Sequence, residues 1–191
     1  MGYRYLDTGA MYRGIAYAYT AKTPGDMETF LEEATLRFSF DSTTKVFLDE
    51  EDVSERIRTP ECALLASSLS QDRRVRTHLT KMQREMGKDG GVVVEGRDTG
   101  SVVFPDADVK FYLDADLGER ARRRYLEQAA RDEGGDLQQV REQMERRDRD
   151  DSERDIAPLI RPEGAIYVDT TGKGIDEVVE TLKKHVEQVG G

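Results

Sequence analysis

Two segments of this sequence carry side chains suited to holding phosphorylated ligands. Asp7-Thr8-Gly9-Ala10-Met11-Tyr12-Arg13 lies near the start, Glu95-Gly96-Arg97-Asp98-Thr99-Gly100 lies mid-chain, and each directly follows a short apolar, β-rich run. That is the layout of ligand-holding loops at the carboxyl ends of strands in an open α/β sheet. In or near such loops stand Arg13, Arg76, Arg97, Arg147 and Arg154, and the planar fork of arginine donates two parallel hydrogen bonds to a phosphate. The chemistry open to such a set is phosphoryl transfer between nucleotides, which asks for positioning, for charge neutralisation by Arg, Lys and Mg²⁺, and for exclusion of water rather than covalent work.

The elements that must position these residues follow from apolar spacing. Four stretches enriched in β-branched and aromatic residues read as strands: Tyr3 to Asp7, Val92 to Glu95, Val109 to Leu113 and Ala165 to Asp169. Helical segments separate them, the rhythm of a parallel sheet. Asp7, Arg97, Asp98, Asp114 and Asp169 then collect at the strand ends, where Asp114 and Asp169 read as helix caps rather than ligands. Val75, Leu79, Met82 and Met86 recur at helical steps. So do Ile175, Val178, Val179, Leu182, Val186 and Val189 on a closing helix, and both stripes read as core faces with His78 and His185 structural beside them. Between Asp26 and Ser70 the pattern becomes a short helix, then alternating Leu36-x-Phe38-x-Phe40, a polar turn at Asp41 to Lys45, Val46-x-Leu48, and a helix from about Pro60. This reads as a β-hairpin inserted into the βα framework, beside the first strand's loop and able to close over a substrate.

From Leu117 to Arg154 the composition turns strongly charged, with Arg120, Arg122, Arg123 and Arg124 in one helix, Arg141, Arg146, Arg147, Arg149 and Arg154 in the next, and Gly134-Gly135 between them. Read from composition, this is a solvated helical hairpin laced with ion pairs to Glu119, Glu127, Glu142 and Glu145. Placed above the strand ends, the same arginines would form a phosphate-binding lid.

Composition narrows the rest. A length of 191 residues suits one domain with an insertion. A net charge of −10 argues against general affinity for nucleic acid or anionic membrane, so any basic site is local. The single cysteine, Cys62, excludes an intrachain disulfide and a cysteine-based zinc cluster, and reads as a small buried apolar residue in a reducing, cytoplasmic setting. Two histidines without matching Cys or carboxylate spacing make no metal site. No apolar run approaches the ~20 residues that cross a bilayer.

The sequence resembles the bacterial cytidylate kinases along almost its whole length. The resemblance rests on Asp7 to Arg13, on Asp52-Val53-Ser54 through Ile57-Arg58-Thr59, and on Val75-Arg76. It continues in Gly96-Arg97-Asp98-x-Gly100-Ser101-Val102-Val103-Phe104-Pro105-Asp106-Ala107 and in Arg147-Asp148-x-x-Asp151-Ser152-x-Arg154 with Ala157-Pro158-Leu159. The run from Gly96 to Ala107 is the most specific of these. The resemblance implies an α/β fold of the nucleoside-monophosphate-kinase type, a three-layer parallel sheet with helices on both faces. Residues 1–191 then form one kinase-like domain, with 26–70 as an inserted NMP-binding subdomain and 117–154 as an Arg-rich helical lid.

It also implies an activity: transfer of phosphate from ATP, with Mg²⁺, to CMP or dCMP, by a cytoplasmic protein that is monomeric when full length. By resemblance, Asp98, Arg76 and Ser67 read the cytosine, with Ser68 adjoining; Arg147 and Asp151 hold the ribose hydroxyls. Arg13, Arg97 and Arg154 clamp the acceptor phosphate and are the catalytic candidates, Tyr12 and Thr8 line that pocket, and Arg123 and Arg124 face the donor nucleotide.

One departure from the family is plain. No Gly-x-x-x-x-Gly-Lys-Ser/Thr phosphate loop occurs in these 191 residues. By analogy with a strand–loop–helix unit, about 25 residues would supply it, and its strand is expected at the centre of the sheet. Each backbone group left unpaired beside such a gap costs about 1–3 kcal/mol, against a total stability of about 5–15 kcal/mol. The expectation is that the 191-residue chain is truncated and inactive alone, with a non-catalytic CMP-binding protein as the alternative.

Overall fold

The computed structural model describes residues 1–22, 25–130 and 134–189, which fall into two compact units, 1–99 and 100–191. In the first unit, β1 (Arg4–Asp7) leads straight into α1 (Thr8–Lys22). Then come α2 (Met27–Glu33), β2 (Leu36–Phe40), β3 (Thr44–Leu48), the two-residue β4 (Glu51–Asp52), a 3-10 turn (Arg56–Arg58), α3 (Pro60–Leu69), α4 (Arg73–Gly87) and β5 (Val92–Glu95). β1 and β5 pair in parallel with Asp7 opposite Glu95, so both chemistry-bearing loops leave the same end of the same strand pair. The expected hairpin is present: β2 and β3 are antiparallel, with Phe38 opposite Val46, and β4 extends them.

Local sequence explains the helix starts. Asp26 accepts from Thr29 N–H at the start of α2, Thr59 from Cys62 N–H at α3, where Pro60 takes the first turn, and Asp72 from Arg74 N–H at α4. One core binds the unit: Leu6 from β1, Met11 and Ile15 from α1, Phe30 from α2, Phe38 and Val46 from the hairpin, Ile57, and Val75 and Leu79 from α4. Met82 and Met86 pack half-buried against it, as the α4 stripe predicts. The hairpin approaches α1 at Gly14, where an added Cβ would stand 2.8 Å from Val46 Cγ1.

In the second unit β6 (Phe111–Asp114) pairs in parallel with β7 (Ile166–Asp169), Asp114 opposite Asp169. α5 (Leu117–Ala129) and α6 (Leu137–Glu153) lie between them in sequence, and α7 (Ile175–Val189) follows. Gly134 and Gly135 both carry positive φ, as a chain reversal there requires. Among the described residues the parallel strands thus form two pairs rather than one sheet.

Two expectations are corrected here. The stripe on α7 is not a core face: none of its described residues is buried, and Ile175 is 83% exposed. The two-stranded β6–β7 pair offers only a narrow surface, so Val178, Leu182 and Val186 are half-buried while Val179 and Val189 stay exposed. Nor do Asp114 and Asp169 cap helices. Asp116 caps α5, accepting from Gly118 and Glu119 N–H, while Asp114 accepts from Ala115 N–H and Tyr167 Oη, and Asp169 closes a turn through Thr171 N–H.

Candidate nucleotide site

In the first unit the site grows from the ends of β1 and β5. Asp7 ends β1, and its Oδ1 accepts from Ala10 N–H at 2.8 Å in the opening turn of α1. Its Oδ2 pairs with Arg13 Nη2 at 2.9 Å, one turn further along. Gly9 lies between them: an added Cβ would stand 3.1 Å from Asp7 Oδ1 and 3.2 Å from Arg13 Nη1, so the ion pair packs over a position that has room for little else. Arg13 Nε is buried and has no hydrogen-bond partner among the described residues. An orphaned guanidinium N–H on an arginine already fixed by a carboxylate suits an incoming anion.

The two loops are tied together directly. Thr8 Oγ1 donates to Glu95 O at 2.8 Å, and a side chain at Gly96 would overlap Thr8 Oγ1. Glu95 also acts on Tyr5: burial first, then the hydrogen bond with Glu95, pushes the Tyr5 phenol well above its ordinary range and keeps it neutral.

Arg76, on α4, and Asp98, in the loop after β5, form a buried ion pair through Arg76 Nη2. Arg76 Nη1 donates to Ser70 O at 3.0 Å, and its guanidinium carbon lies 5.7 Å from the centre of the Tyr12 ring. Arg97, half-buried, sits beside Asp98 at the exit of β5. Ser67 is half-buried in the last turn of α3, where its carbonyl accepts from Ser70 Oγ at 2.7 Å. The first unit therefore gathers Thr8, Tyr12, Arg13, Ser67, Arg76, Arg97 and Asp98. Ser70, which the sequence reading passed over, is the serine in contact with Arg76. Its contact is made by the backbone carbonyl, which leaves no residue-type signal.

The second unit gathers the remaining acceptor-side candidates at the end of α6. Arg154 Nη1 lies 3.4 Å from Asp151 Oδ1, and Arg147 Nε lies 3.9 Å from Asp151 Oδ2. Arg154 Nε donates to Ala157 O at 2.6 Å, across a turn in which Ala157 takes the left-handed φ of +51°. Asp151 O in turn accepts from Leu159 N–H at 2.7 Å, which folds Ala157-Pro158-Leu159 back onto the helix end.

On α5 the charged hairpin carries the expected intrahelical pairs to Glu119 and Glu127, while on α6 Glu142 accepts from Gln138. Arg122 and Arg123 pair with Glu119, Arg124 pairs with Glu127, and Arg120 of α5 reaches Asp148 of α6. Arg123 also donates to Thr170 O at 2.7 Å and to Lys173 O at 3.3 Å, which ties α5 to the turn after β7.

No group of three or more His, Cys, Asp or Glu side chains among the described residues could hold a metal ion. Mg²⁺ at nucleotides needs only one or two carboxylates beside the phosphates, but Asp7 is engaged by Arg13 and Asp98 by Arg76.

Comparison with known proteins shows the family. The family model described as Cytidylate kinase matches residues 1–188. A protein named Cytidylate kinase from Syntrophotalea carbinolica is 47% identical over 189 residues, covering 96% of this chain and 80% of its own length. Another of that name from Geobacter sp. (strain M21) is 44% identical, with 98% of this chain and 83% of the relative covered. A third, from Bacillus cereus (strain ATCC 10987), is 40% identical, with 99% and 87% covered. The chain belongs to the cytidylate kinase family.

Proposed function

We propose that the protein transfers a phosphoryl group from ATP to CMP or dCMP, giving the diphosphate. The observation that carries this reading is the buried Arg76–Asp98 pair, backed by Ser70 O and set against the Tyr12 ring. Cytosine offers an exocyclic amine beside its N3 and O2 acceptors. Asp98 accepts from the amine and Arg76 donates to the ring acceptors, with Ser67 contributing a hydroxyl. Uracil would set its carbonyl against Asp98, and two facing acceptors in a buried site cost about 1–3 kcal/mol.

Arg13, Arg97 and Arg154 take the acceptor phosphate and balance its charge as the bond to the incoming phosphoryl group forms. Tyr12 and Thr8 line that pocket. Arg147 and Asp151 hold the ribose hydroxyls. Arg124, whose Glu127 partner is a surface side chain, and Arg123 face the donor phosphates. In this reading residues 26–70 act as the NMP-binding insertion and 117–154 as the lid of an α/β fold of the nucleoside-monophosphate-kinase type.

A second reading has one observation in its favour, that residues 1–191 contain no Gly-x-x-x-x-Gly-Lys-Ser/Thr sequence. In that reading these residues bind CMP without transferring phosphate, and transfer needs a phosphate loop and central strand from outside them. In this reading the full-length protein works in the cytoplasm as a monomer and binds neither nucleic acid nor membrane; the net charge of −10 supports the lack of affinity for nucleic acid and anionic membrane, and no helix among the described residues is long and apolar enough to cross a membrane.

Titration of the protein with CMP and with UMP tests the cytosine reading. CMP is expected to bind at least about tenfold tighter, the ratio that 1.4 kcal/mol gives. Equal affinities contradict the roles of Arg76 and Asp98.

A further inference from the structure

Thr44, the first residue of β3, lies outside every role assigned above, yet its side chain is buried at the junction of the hairpin and β1. Its hydroxyl makes two hydrogen bonds to one strand end, accepting from Asp7 N–H at 2.8 Å and donating to Tyr5 O at 3.0 Å. Beside it, Tyr5 N–H donates to Asp41 O at 2.8 Å. The tip of the hairpin thus satisfies the outer edge of β1, whose other edge pairs with β5. The residue fixed most closely is Asp7, whose carboxylate caps the start of α1 and holds Arg13. From the Thr44 hydroxyl to the Arg13 guanidinium the path is continuous: Thr44 Oγ1, Asp7 N, the Asp7 carboxylate, Arg13 Nη2.

We propose that Thr44 is a positioning residue for phosphate recognition, which sets the Asp7 backbone so that the Asp7 carboxylate aims Arg13, and which thereby couples the seating of the hairpin to the affinity for the acceptor's phosphate. A hydroxyl suits this position because it must accept and donate at once. Valine has the same shape and can do neither. Loss of the hydroxyl leaves Asp7 N–H and Tyr5 O without their partner, and the arginine that depends on Asp7 loses its fixed aim.

The proposal rests on the reading of Arg13 as a phosphate ligand, and the test separates the two. Binding of CMP and of cytidine, which lacks the phosphate, is measured by titration calorimetry on the full chain and on its Thr44→Val, Thr44→Ala and Thr44→Ser variants. Wild type is expected to bind CMP much more tightly than cytidine. Thr44→Val is expected to weaken CMP binding about fivefold to tenfold, the worth of one ordinary hydrogen bond, while leaving cytidine binding within about twofold. Thr44→Ser is expected to restore CMP binding, and Thr44→Ala carries the test if the valine variant does not fold. Wild type that fails to prefer CMP over cytidine overturns the phosphate reading of Arg13. Wild type that prefers CMP, with a hydroxyl-less variant that keeps that preference or loses both ligands equally, overturns the role of Thr44 alone.

Discussion

At the residue scale, the buried Arg76–Asp98 pair is the feature with the largest energetic consequence. Both side chains are more than nine-tenths buried, and two charges removed from water in this way are stable only while each has the other. Arg76→Ala is expected to destabilise the protein by about 3–5 kcal/mol, because it takes the buried guanidinium away from the Asp98 carboxylate. Asp98→Asn keeps the size and removes the charge. It is expected to erase most of the preference for CMP over UMP, since an amide can turn its N–H₂ towards the uracil carbonyl. Thermal unfolding of the first variant and the ratio of dissociation constants for CMP and UMP in the second check these outcomes. A selectivity unchanged in Asp98→Asn would place base recognition elsewhere.

At the scale of elements, glycine reports where two segments meet. Gly14→Ala brings a methyl group against Val46 and Phe38 of the hairpin, and overpacking of that kind costs about 1–3 kcal/mol. Gly174→Ala meets nothing and is expected to change stability by less than about 0.5 kcal/mol. Urea unfolding of the two variants makes the comparison, and equal midpoints would mean that the hairpin is not seated on α1. The elements themselves were largely legible. Period-two alternation at Leu36, Phe38 and Phe40 and helical spacing at Val75 and Leu79 carry their own geometry, and both segments fold as that spacing predicts. What was hidden is what depends on partners. Ser70 acts through its carbonyl and Thr44 through contacts 37 and 39 residues away, and neither leaves a pattern in sequence. The stripe on α7 misled for the related reason that periodicity shows a helix is amphipathic but not what covers its apolar face. In the candidate site, arginines and aspartates were singled out by residue type and by the family resemblance, since few other residue types serve phosphate and cytosine. Their pairing, Arg13 with Asp7 and Arg154 with Asp151, emerged only from the structure.

At the scale of the whole molecule, the protein's response to pH and its activity can both be predicted. His78 is half-buried, and burial, aided by the nearby Lys81 ammonium, lowers its pKa below the ordinary value of 6.5. The unfolded chain therefore takes up this proton first as pH falls. The contribution of His78 to stability is complete above about pH 7 and is lost as the pH drops through 6.5 towards the lower folded value. Chemical unfolding measured between pH 7.5 and 5.5 is expected to show stability falling on the acid side, and His78→Gln is expected to flatten that limb. An unchanged slope in the variant would assign the acid sensitivity to other groups.

The central claim is that this chain reads CMP as the acceptor in phosphoryl transfer. It is tested most directly by a coupled ADP-release assay with ATP, Mg²⁺ and either CMP or UMP, run on residues 1–191 and on a version extended upstream through any encoded phosphate loop. The account predicts turnover in the extended protein with CMP well ahead of UMP, and little or none in residues 1–191. Equal use of the two acceptors, or no turnover in either protein, would contradict it.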